Sequence, residues 1–128
     1  PELVAAAALS LAAQLDSLLA RVPGLSPADA VAAGEALGRA GSETAYRVFT
    51  ELLLDKLGEI AKARALDHGS GRGGLAHLPA PTLLWLWDDL KRRFEETEHS
   101  NLDRRQAILT ALLALDETAA GKRMPAPV

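Results

Sequence analysis

Residues 43–66 read ETAYRVFTELLLDKLGEIAKARAL, and the spacing of their apolar side chains decides the fold class. Tyr46, Phe49, Leu53, Leu57 and Ile60 recur every three or four positions, which lines them up on one side of an α-helix; Val48 and Leu52 widen the stripe. An isolated helix is only marginally stable in water, so a stripe this broad predicts other helices packed over it, as around the central helix of a bundle. Composition agrees. Ala supplies 25 and Leu 24 of the 128 residues, whereas Val and Ile together supply 7. Good helix formers abound and the β-branched residues that strands favour are scarce.

Upstream, Val4, Ala8, Leu11, Leu15, Leu18 and Val22 repeat at helical spacing, with Asp16, Ser17 and Arg21 on the other side. Pro23-Gly24 ends that helix. Ser26 is placed to cap a second one, with Pro27 at its first position and Asp29 at capping-box spacing. This short segment (Val31, Ala32, Leu37) is expected to stop at Gly41. Gly34 and Gly38 each weaken it by up to ~1 kcal/mol relative to Ala, which predicts either a closely packed neighbour or a poor helix. Ser42 is the expected cap of the long central helix.

Downstream, His68 to Pro79 holds Gly69, Gly71, Gly73 and Gly74, loses all periodicity and reads as a mobile loop. Pro79-Ala-Pro81 opens a fourth helix to about Glu98, with Leu83, Trp87, Leu90 and Phe94 as core positions. Its other side is charged: Asp88, Asp89, Lys91, Arg92, Glu95 and Glu96. Ser100-Asn101 is a cap signal, and Asp103 suits the positive end of a fifth helix carrying Leu102, Ile108, Leu109, Leu112, Leu113 and Leu115 as far as Ala119. The expectation is an all-α, five-helix antiparallel bundle: one domain over residues 1–119 and a flexible C-terminal tail over 120–128.

A net charge of −3 and a pI near 5.6 argue against a dedicated nucleic-acid grip. The longest apolar run, Leu3 to Leu9, is far short of the ~20 residues a membrane span needs. Absence of Cys removes disulfides, thiolate zinc sites and Cys nucleophiles, and fits a cytoplasmic protein. The Ala-rich N-terminus lacks the basic segment of a signal peptide, and a chain opening at Pro1 reads as a piece of something longer.

No catalytic, cofactor-binding or metal-binding residues are predicted. The Gly69 to Gly74 loop lacks the Gly-Lys-Ser/Thr ending of a phosphate cradle and follows no strand. His68, His77 and His99 never stand four apart on a helix. Glu95, Glu96 and Glu98 sit beside Lys91, Arg92 and Arg93, the pattern of a solvated face. No Ser has a recognisable base beside it. Two features stand out. Trp85 and Trp87 point about 200° apart on a helix, so with Trp87 in the core Trp85 falls outside it, beside Asp89 and Arg92. Leu54 lies off its helix's stripe, among Arg47, Thr50, Glu51 and Gly58. Such apolar groups mark a subunit contact, unless the bundle surrounds these helices on more than one side. Arg104 and Arg105, able to meet phosphate or an acidic partner surface, are further contact candidates, with a stabilised turn and exposed charge as the alternative.

The run Asn101-Leu-Asp-Arg-Arg-Gln106 and the apolar helix Ala107 to Leu115 resemble the closing segment of bacterial DNA polymerase III delta-prime subunits. Leu84-Trp-Leu-Trp-Asp88 with Leu90 and Phe94 resembles that family's penultimate helix. Tyr46-Arg-Val-Phe49 with Leu52-Leu-Leu-Asp-Lys-Leu57 resembles its long middle helix. The resemblance runs from Leu3 to Ala119. It implies the helical C-terminal domain that packs with its counterparts into the five-membered collar of the clamp loader. The implied partners are the other subunits, delta and gamma/tau, and no cofactor or direct nucleic-acid contact is implied. Delta-prime is the non-hydrolysing stator, and nucleotide, zinc and clamp contacts belong to N-terminal domains with no match here. A collar domain of delta or gamma/tau is the near alternative. A small regulatory or ligand-binding bundle, its Trp residues lining a pocket, is the distant one.

Overall fold

The computed structural model describes residues 2–39, 41–66, 74–99 and 103–121, with side chains from Ala8 onward except that of His99. They form α1 (Glu2–Ala20), α2 (Pro27–Gly38), α3 (Glu43–Ala65), α4 (Ala80–His99) and α5 (Arg104–Ala119), with a 3-10 turn at Gly74–His77. Among the described residues there is no strand, and they form an all-α bundle of five α-helices. Most of the glycine loop, Ser100, Asn101, Leu102 and the tail beyond Gly121 lie outside the described residues.

Helix α3 is central as its stripe predicts: Tyr46, Phe49, Leu53 and Leu57 are buried to 1% exposure or less. Around it stand Leu15 and Leu18 of α1, Ala30, Ala33 and Leu37 of α2, Leu83, Leu86, Leu90 and Phe94 of α4, and Ile108, Leu112 and Leu115 of α5. Chain direction follows from three contacts. Tyr46 meets Phe94 edge-on with ring centroids 6.3 Å apart, Gly58 faces the Trp87 indole, and Arg64 donates to the Leu78 carbonyl at 3.1 Å. Advancing along α3 therefore means retreating along α4, and the two helices run antiparallel.

The same reasoning orients α2 against α5, the most extensive helix pair. Leu25, before α2, reaches Asp116 near the end of α5, whereas Gly34 and Gly38 lie on Arg105 at its start. A Cβ at Gly34 would come 2.7 Å from the Arg105 carbonyl oxygen, and one at Gly38 would overlap the Arg105 backbone. Of the two readings of these glycines, close packing is the one realised. At the other end Asp116 Oδ1 accepts from the amides of Gly24 (2.7 Å) and Leu25 (2.9 Å), fixing the α1–α2 turn to α5. Gly24 has φ +111°, a conformation that favours glycine.

Several local expectations are corrected. Helix α1 ends at Ala20, with Val22 buried beyond it, and α2 ends at Gly38 rather than Gly41. Ser26 caps α2 by accepting from the Ala28 amide (3.2 Å), but Asp29 binds the Arg21 guanidinium instead of closing a capping box. Ser42 makes no side-chain cap bond; the Glu43 carboxylate takes the Gly41 amide at 3.3 Å. Asp103 is the cap of α5, accepting from the Arg105 amide at 2.9 Å. Residues 74–78 are not loose loop: Leu75 and Leu78 are buried on either end of the 3-10 turn, a span too short for periodicity to register. Trp87 is half-buried, and Leu86 takes the core place assigned to it. The first two residues of the expected tail close α5, with the Ala120 amide on the Asp116 carbonyl and Gly121 at φ +78°.

Replacing Gly34 with Ala should destabilise the domain by about 1–3 kcal/mol in urea unfolding, through forced separation of α2 and α5. On an open helix surface the same change would stabilise by up to ~1 kcal/mol, and that outcome would contradict the packing described. Asp116→Ala should lose about 1–2 kcal/mol in the same assay, as two amides lose a charged acceptor.

Candidate functional site

Helix α4 presents two outer surfaces of different chemistry. Its second half carries closed ion pairs, Asp88–Arg92 at 3.0 Å, Asp89–Arg93 at 2.9 Å and Lys91–Glu95 at 4.0 Å, each four residues apart and worth only tenths of a kcal/mol. Its first half is apolar outward. Leu84 is 55% exposed, and Trp85 and Trp87 are both half-buried against the edges of the core. One residue on a helix turns the side chain by about 100°, so with Leu86 pointing inward the two Trp residues must flank it on opposite sides. Trp87 lies over α3 at Gly58, with the Lys91 ammonium 5.1 Å from its ring centroid.

Leu54 is placed differently from its expected exposed setting. It is half-buried and packed against the core, its neighbour Thr50 is buried, and Gly58 on the same side faces Trp87. Helix α4 covers this side of α3, so the apparent solvent face is a second packed face. Arg104 and Arg105 also work within the chain. The Arg104 guanidinium lies 5.7 Å from the Tyr46 ring centroid and 3.9 Å from Glu43. Arg105 pairs with Glu35 at 3.7 Å and with Asp103 at 3.4 Å. Both tie the start of α5 to its neighbours, the turn-stabilising role. Of the four candidates, Trp85, half-buried like Leu54, is the one with an exposed apolar neighbour, Leu84, which the sequence reading did not single out. Leu84 sits inside an uninterrupted apolar run, 83–87, where no polar residue marks which side faces water.

Three groups have displaced acidities. The Glu43 carboxyl is lowered by hydrogen bonds from its own amide and that of Gly41, with Arg104 adding to them. For Asp103, desolvation acts upward, but the bonds and charge of Arg105 outweigh it and the pKa falls. Burial pushes the Tyr46 phenol up, against smaller opposing effects from Thr97 and Arg104. Among the described residues no group meets its buried hydroxyl in good hydrogen-bond geometry; Thr97, whose own hydroxyl donates to the Arg93 carbonyl at 2.8 Å, is the neighbour that acts on it.

An open groove of about 350 Å³ runs between α4 and α5, bounded by Arg93, Glu96, Thr97, Gln106 and Thr110; neither Trp lines it. Among the described residues no three His, Asp or Glu side chains gather as metal ligands, and no helix is long and apolar enough to cross a membrane.

Tyr46→Phe removes a buried hydroxyl that no described residue meets in good hydrogen-bond geometry, and should leave stability unchanged or raise it by up to ~1 kcal/mol in urea unfolding. A loss above ~1 kcal/mol would mean that the hydroxyl is hydrogen-bonded in solution. The acid limb tests the caps. Because the folded pKa values of Glu43 and Asp103 are depressed, their stabilisation is complete above the unfolded carboxylate values of about 4 and is lost as pH falls through the folded values. A Glu43→Gln, Asp103→Asn double variant should therefore show a shallower stability loss below about pH 4 than the parent chain, measured by urea midpoints against pH.

Comparison of the chain with protein-family models, with curated proteins and with solved structures finds no match in any of the three.

Proposed function

We propose that this chain is a non-catalytic assembly domain of a replication clamp loader, of the kind formed by the helical collar domain of delta-prime subunits. The order of the resembling segments supports the reading: residues 46–57 fall on α3, 84–94 on α4 and 107–115 on α5 of one bundle. The observation that carries it furthest is the exposed Leu84 beside the half-buried Trp85, on a helix whose neighbouring charges are already paired. Binding there removes apolar area from water without stripping unpaired charges, the economical chemistry of a subunit contact. The partners on this reading are the collar domains of delta and gamma/tau, in the cytoplasm, with no cofactor and no direct nucleic-acid contact. The domain's contribution is geometric: association through one module holds tethered modules at high effective concentration. A collar domain of delta or gamma/tau, which shares the helical character, is the near alternative. The ligand-binding alternative has less behind it, since the α4–α5 groove is open and bordered by neither Trp.

Sedimentation velocity with purified delta and gamma/tau collar domains tests the proposal. The parent chain should associate at on the order of tens of micromolar. Leu84→Glu should weaken that association about tenfold or more while leaving the thermal unfolding midpoint unchanged. No association with either partner by the parent chain would overturn the reading.

A further inference from the structure

We draw no further inference here: the strongest candidate, the open groove of about 350 Å³ between α4 and α5 floored by Thr97 and Ala107, carries none, because nothing in the structure shows what covers it.

Discussion

Removal of the α3 stripe from water is the constraint on which the rest of the bundle depends. Tyr46, Phe49, Leu53 and Leu57 are essentially inaccessible, and burying a side chain of this size contributes roughly 1.5–3 kcal/mol. No single neighbour could cover them. Helix α1 packs along one flank and α4 along another, while α2 and α5 pack chiefly on each other and add Leu37, Ile108 and Leu112 to the core. The widened covering of α3 explains why Thr50 and Leu54, polar or off-stripe by phase, are buried or half-buried.

The α2–α5 pair shows how backbone can replace side chain as the packing surface. Two glycines bring α2 directly onto the Arg105 backbone, so a helix weak in intrinsic propensity is held by proximity. Asp116 holds the far end of the same pair through two amides of the α1–α2 turn. Arg104, Arg105 and Asp103 gather at the near end, where the cap of α5 meets Glu43 and Glu35. These polar ties sit at the two ends of an apolar contact and fix its register.

Helix existence was legible in the sequence because it is written in long apolar periods, as for α3 and α4. Ends were legible only where chemistry is local and unambiguous, as with Ser26 and Pro27; Asp29 had the right type and spacing but pairs with Arg21, and Ser42 makes no side-chain cap bond. Leu75 and Leu78 were hidden by their glycine-rich context, and Asp116 by the 91-residue separation from the amide of Leu25. The apolar outer surface of α4 was half legible. Trp85 emerged from helical phase, and the same phase sets Leu86, three residues from Leu83 and four from Leu90, on the buried stripe and Leu84 off it, although neither was singled out. Arg104 and Arg105 were visible as charge, whereas their engagement with Tyr46, Glu43 and Glu35 is tertiary and has no sequence signature.

The proposed assembly role rests on the exposed Leu84 beside ion pairs closed within α4, and the proposed partners are delta and gamma/tau collar domains. The most direct measurement follows the two indole N–H signals in nitrogen–proton correlation spectra during titration with delta and gamma/tau collar domains. The account predicts that the Trp85 indole and the amides of residues 82–88 shift together, with the α2–α5 contact undisturbed. Shifts confined to the α4–α5 groove, or none at saturating partner, would contradict it.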